Sequence, residues 1–250
     1  MRGRRDLAVV GLLWLGLSVL GEALVELYAV DAFPLVASRE GEISDDAILV
    51  LLRVVVPVFT FIGVVIVYSA IRFRAGKGDS GDSPVQTRVD GRFAWGWLGV
   101  TSALTLLVIV YPGVTGLRQL WELANASDAL VVEVTARQWE WRFAYPAQKL
   151  VNQEELVLPV DQPVRFLLRS EDVVHGFWVP AFRIKEDVVP GETRELVITP
   201  DRLVQTTTSP LARVQCAELC GAGHAEMRSP VRVVSEERFA EWAAGREEGQ

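Results

Sequence analysis

The sequence predicts a membrane-anchored all-β protein: two or three N-terminal membrane helices, then a β-sandwich or barrel, then a short C-terminal helix. Three observations carry that expectation. Half of the 250 residues are hydrophobic, and the mean hydropathy of +0.25 is high for a soluble domain. The excess is concentrated in three runs that end at Leu117. Beyond them come short alternating segments punctuated by Pro and Gly.

The first run, Leu7 to Leu20, follows the basic start MRGRR and stops at Glu22. Its 14 residues have the length of a signal-peptide core, and Gly21-Glu22-Ala23 is a weak cleavage match. The alternative is a retained helix reaching about Val30, with Glu22 and Glu26 near its outer end. Residues 1–30 are therefore read as a signal peptide or an extra transmembrane helix. The second run, residues 47–71, contains one charge, Arg53, and the third, 93–117, contains none. Each is long enough to cross a hydrocarbon core of ~30 Å.

Residues 72–92 read as a cytoplasmic loop with Arg72, Arg74, Lys77, Arg88 and Arg92, whereas the segment between runs one and two is acidic. The positive-inside rule then places everything after Leu117 outside a cell membrane of bacterial or archaeal type. That location holds whether or not the first run is removed.

Residues 128–236 carry the strand-like segments: ALVVEVTARQWEWRFAY, EELVLPV, PVRFLLRS, HGFWVPAF, RELVIT, ARVQC and SPVRVV. Alternation is clear in VVEVTARQWEW and PVRFLLR, which suits one sandwich or barrel. Residues 237–250 form the helical tail, with Ser235 as its N-cap and Phe239 and Trp242 on one face. From Asp128 onward there are 20 acidic and 14 basic residues, nearly all of the chain's net −7. That balance excludes nucleic acid as a partner and suits a basic protein.

The chain has two Cys, two His and two Met, and CAELCGAGHAEM holds Cys216, Cys220, His224 and Met227. A Cys216–Cys220 disulfide is allowed outside the cytosol but leaves His224 and Met227 without a role. Structural zinc suits the cysteine spacing, yet a thioether is not a usual zinc ligand. Copper accepts thiolate, imidazole and thioether together. The other histidine, His175, adds a second imidazole. Two His, two Cys and one Met exceed a mononuclear blue site by one thiolate. Two bridging thiolates with an imidazole on each side would hold two copper ions.

The pattern C-x-E-x-C-G-x-x-H-x-x-M resembles the dinuclear copper (CuA) signature of cytochrome c oxidase subunit II. SEDVVHGFWVPAF, KEDVVPG and RQWEWRFAY resemble that family's upstream histidine segment, the loop after it and its aromatic segment. The resemblance implies a cupredoxin-like copper domain. Cys216 and Cys220 would bridge the copper ions, His175 and His224 would each ligate one, and Met227 and the Glu218 main-chain carbonyl would be weak ligands. The Glu218 carboxylate would bind magnesium or manganese at the interface with subunit I. Trp139 matches the family's electron-entry tryptophan, whereas Trp141 reads as core.

The implied function is to accept single electrons from soluble or tethered cytochrome c and pass them to haem in subunit I, for oxygen reduction with proton pumping. Some residues depart from the family pattern. Ala136-Arg137 replaces a common Gly-His, Glu140 separates the tryptophans, and Arg92 stands where many relatives carry a glutamate, so no proton-uptake role is implied. The alternatives are a nitric oxide reductase copper subunit or a copper-binding assembly module. A quinol oxidase subunit would lack the copper ligands, and a nitrous oxide reductase would need a large His-rich domain.

Overall fold

The computed structural model describes residues 2–29, 32–74 and 90–245. The chain divides into two compact units. One consists of membrane-type helices up to Thr115, the other of Phe33–Asp45 and the chain from Gly116 onward, which includes the β domain.

In the helical unit, α1 runs Arg2–Leu24 and continues through wider π-helical turns over Val25–Ala29. Helix α2 spans Arg39–Arg72, with Pro57 inside it. Helix α3 spans Gly91–Val108, its start capped by the Asp90 carboxylate accepting from the Arg92 N–H at 2.9 Å. The chain then kinks at Tyr111, whose backbone is extended (φ −137°, ψ 121°), and continues as α4, Thr115–Ala124, which from Gly116 on belongs to the other unit. Gly3–Tyr28, Arg39–Arg72 and Gly91–Ala124 are each long and apolar enough to cross a membrane. Helix α2 begins eight residues before the apolar run at 47. Most of the expected cytoplasmic loop (75–89) and the tail at 246–250 lie outside the described residues.

The β domain is a two-sheet sandwich. One sheet has the order β3-β2-β1-β5-β8, and the other β4-β11-β10-β6-β7 with β9 on β11. In chain order these are β1 Leu130–Arg137, β2 Glu140–Tyr145, β3 Leu150–Gln153, β4 Leu156–Pro159, β5 Val164–Ser170 and β6 His175–Val179. Then follow β7 Ile184–Val188, β8 Arg194–Ile198, β9 Val204–Gln205, β10 Arg213–Cys216 and β11 Arg228–Val234. The β1–β5 and β4–β11 pairs are parallel and the rest antiparallel.

Strand alternation produces the core. Val132, Val134 and Ala136 of β1 and Trp141, Phe143 and Tyr145 of β2 all point inward against Phe166, Phe177, Val214 and Val231. Each large side chain buried this way contributes ~1.5–3 kcal/mol of burial free energy. The Tyr145 hydroxyl both donates to the Val157 carbonyl (3.0 Å) and accepts its N–H (2.9 Å). Burial pushes its pKa well above the usual value. Helix α5, Glu236–Ala243, is capped by Ser235 and packs Phe239 and Trp242 on Tyr145.

The sequence reading runs β1 and β2 together, but they form a hairpin turning at Gln138-Trp139, where no Gly, Pro, Asn or Asp signals a turn. It also omits β3, β7 and β9, which are short, polar or both. A larger omission is Phe33–Asp45, which straps onto the sandwich. Ala37 N–H donates to the Ala181 carbonyl (2.7 Å) and Arg39 N–H to that of Thr199 (3.1 Å). Ser38 accepts from Gly41 N–H, capping α2, and donates to the Phe182 carbonyl. The Arg183 guanidinium grips both oxygens of Asp45 at 2.8 and 2.9 Å and reaches the Pro34 carbonyl at 2.6 Å.

Candidate metal centre

His175 opens β6 and Cys216 closes β10, its hydrogen-bonded neighbour, so the sheet itself brings these distant residues side by side. The Cys216 N–H donates to the Met227 carbonyl at 3.1 Å, which closes the twelve-residue loop on itself where β10 meets β11. Inside it, a 3₁₀ turn over His224–Glu226 returns the chain toward the sheet. Gly221 takes φ +114°, a backbone state that side-chain-bearing residues avoid.

The five soft donors meet in neighbouring pairs. His175 Nδ1 lies 3.8 Å from the Cys216 sulfur, the two sulfurs are 3.7 Å apart, and His224 Nδ1 lies 3.6 Å from the Cys220 sulfur. Each imidazole thus abuts a different cysteine. Met227 Sδ is 3.8 Å from Cys220, and the Glu218 carbonyl accepts from the Cys216 thiol at 3.2 Å. His175, Cys216, Cys220 and Met227 are buried, and His224 is half-buried at the rim. Both cysteines are free, so the sequence-level disulfide does not form.

These residues suit a metal. Burial, and then the adjacent Cys216, push the Cys220 thiol up to about 11. Without a cation, a thiolate here is disfavoured at neutral pH. Two sulfurs 3.7 Å apart can both reach one ion through bonds of ~2.3 Å. His175, Cys216 and Cys220 by themselves meet the spacing of a metal-binding group.

Two residues that sequence reasoning passed over hold this arrangement. Asp172 Oδ1 lies 2.8 Å from His175 Nε2, fixing the ring so that Nδ1 faces Cys216. Burial raises the Asp172 carboxyl, but hydrogen bonds from Gln138 N–H, His175 and Val173 N–H outweigh it and hold the group at about 2. Gln138 also donates through Nε2 to the Cys220 carbonyl at 2.7 Å. The ED in SEDVVH was the only available hint, since a carboxylate three residues before a ligand can reach its ring.

Trp139 sits at the β1–β2 turn with its Nε1 3.3 Å from the same Cys220 carbonyl. It is 43% exposed. A Cβ on Gly223 would fall 2.5 Å from its ring, so that glycine permits the contact. Trp141 is buried, edge-on to His175 and Phe177. The Glu218 carboxylate points outward, 3.9 Å from Lys185 Nζ and 41% exposed. Arg137, Glu140 and Arg142 form an ion-pair network on the adjoining surface.

Residues 147–234 match the model of the family "Cytochrome C oxidase subunit II, periplasmic domain". The alternative cytochrome c oxidase subunit 2 of Bradyrhizobium diazoefficiens is 30% identical over 257 residues, covering 90% of this chain and 88% of the relative. Cytochrome c oxidase subunit 2 of Synechocystis is 28% identical, covering 84% and 74%. Among solved structures, the periplasmic domain of cytochrome oxidase subunit II of Bradyrhizobium japonicum is 31% identical, with a TM-score of 0.43, and covers 48% of this chain and 94% of that one.

Proposed function

The chain belongs to the cytochrome c oxidase subunit II family, and from that premise we propose that it is the electron-entry subunit of a haem–copper oxidase. It partners other oxidase subunits, and its β domain lies on the outer side of the membrane. The observation that carries the proposal is the order His175–Cys216–Cys220–His224, with one imidazole at each end of a sulfur pair. A tetrahedral zinc site would gather all four around one point. A two-ion site needs the sulfurs central and the imidazoles outermost.

Cys216 and Cys220 would bridge two copper ions, His175 and His224 would each hold one, and Met227 and the Glu218 carbonyl would be the weak ligands. When bound, a thiolate-bridged copper pair supplies a one-electron acceptor and donor whose charge is shared between two metals. The protein's part is positional. Asp172 fixes His175, Gln138 and Trp139 bind the Cys220 carbonyl, and the core keeps the strand ends from relaxing. The buried ligands exclude water, while Trp139 offers an exposed ring beside the site for contact with cytochrome c. Glu218, turned outward, is placed to meet magnesium or manganese at the boundary with subunit I. Haem reduction, oxygen chemistry and proton pumping then belong to that partner.

The test is rapid mixing of copper-loaded full-length protein with reduced cytochrome c. Trp139→Leu should slow electron transfer at least ~10-fold with copper content unchanged. An unchanged rate would remove Trp139 from the path, and failure to bind copper would remove the proposal.

A further inference from the structure

The first apolar run reads equally as a removable leader or as a third span. We infer that α1 is a retained membrane helix, matched along its length to α2. At its start, Asp6 Oδ1 accepts from the Tyr68 hydroxyl at 2.8 Å and from Arg72 Nε at 3.4 Å. At mid-length, Trp14 Nε1 donates to the Pro57 carbonyl at 2.8 Å and its ring meets Phe61 edge-on. One turn on, the Ser18 and Thr60 hydroxyls pair at 2.8 Å. At the far end, Arg53 binds Glu26 at 2.8 Å. Between these, Gly21 lets α2 come close, since a Cβ there would sit 2.6 Å from Val56 Cγ1.

The partners on α2 run from 72 down to 53 as those on α1 run from 6 up to 26, as one antiparallel pairing requires, with the long Trp14 side chain alone reaching past that order to Pro57. Trp14, Ser18 and Gly21 follow i, i+4, i+7 spacing and share one face. Small residues, hydroxyl pairs and an indole on a carbonyl are what join helices in lipid, where an unpaired polar group finds no water. A leader core is selected for 7–15 residues of hydrophobicity and has no need of groups matched to a later helix. The Gly3–Tyr28 span is 26 residues long. Cleavage near Gly21–Ala23 would remove Asp6, Trp14 and Ser18, leaving the Tyr68 and Thr60 hydroxyls of α2 without these partners. With α1 retained, the basic N-terminus and the basic segment after α2 lie on the same, cytoplasmic side. This inference is independent of the copper site.

The test is intact-mass spectrometry of the full-length, C-terminally tagged protein purified from membranes. The expected mass includes residues 2–29, whereas an N-terminus between 20 and 32 overturns the inference. A second variant tests the register itself, with a protease site placed at 30–32 and the pair Ser18→Cys/Thr60→Cys. After cutting, α1 should stay attached on a non-reducing gel and leave on reduction, while Leu20→Cys/Thr60→Cys should release it. Release from the first pair, or equal retention by both, overturns the proposed register.

Discussion

The Cys216–Met227 loop and the Phe33–Asp45 strap, which runs from irregular chain into the first turns of α2, are both fixed to the same sandwich, yet their chemistry is opposite. The strap's contacts are almost all made within the protein: carbonyls meet N–H groups, Ser38 caps α2, Arg183 neutralises Asp45, and one buried oxygen, Glu40 Oε1, is left without a partner. The loop gathers sulfur and imidazole donors at 3.6–3.8 Å, distances at which they barely bond one another. A segment whose groups mostly pair with one another serves to hold the sandwich. One that crowds soft donors together suits a cation.

Metal dependence should therefore separate the two, and the largest effect falls on the loop. Cys220→Ser should abolish the copper pair and with it a copper-dependent rise in thermal midpoint of about 10 °C or more, read by melting with and without copper. A variant that keeps that rise would break the comparison. Next is the strap. Arg183→Ala leaves the Asp45 carboxylate, 12% exposed, without its partner. Removing one partner of a buried pair costs ~3–5 kcal/mol, and the partial exposure here reduces that to about 2–3 kcal/mol by denaturant melting. The copper spectrum should not change, and a loss below ~1 kcal/mol would reduce the strap to a surface contact.

Met227→Leu sharpens the loop side of the contrast. It nearly conserves volume, so the metal-free protein should lose less than ~1.5 kcal/mol. Copper should still bind, with an altered spectrum and potential from loss of the weak ligand. An unaltered spectrum would return Met227 to the role of core filler. The smallest effect is expected at Glu140, whose pKa is lowered by hydrogen bonds from Arg142 and Arg137. A depressed carboxyl stabilises the fold above its unfolded pKa and loses that contribution as pH falls through the folded one. Glu140→Gln should slightly flatten stability against pH below the usual glutamate range, at the limit of a thermal melt. A large change would mean that this surface network does more than exposed pairs do.

The same contrast explains what could be read from the sequence. The loop was legible because its residue types are scarce: with only two histidines in the chain, His175 had to be the distant candidate, and β6 pairing with β10 puts it beside Cys216. The alternating strands were legible because a buried face imposes a period of two. The strap was not, because FPLVASRE has neither periodicity nor rare residues, and its partners lie about 140–160 positions away. Hydropathy located α2 by its lipid-compatible stretch and so missed the Ser38 cap. Gln138 and Asp172 escaped for a related reason. A hydrogen bond to a backbone carbonyl, or to a ring placed by another strand, leaves little trace in spacing.

The central claim is that Cys216 and Cys220 stand between two metal ions rather than around one. Electron paramagnetic resonance of the copper-loaded, full-length protein tests it most directly. One unpaired electron shared by two equivalent copper nuclei gives a seven-line hyperfine pattern, which the account predicts, and Cys220→Ser should lose it. A four-line pattern from a single copper, or a protein that takes zinc and refuses copper, would contradict it.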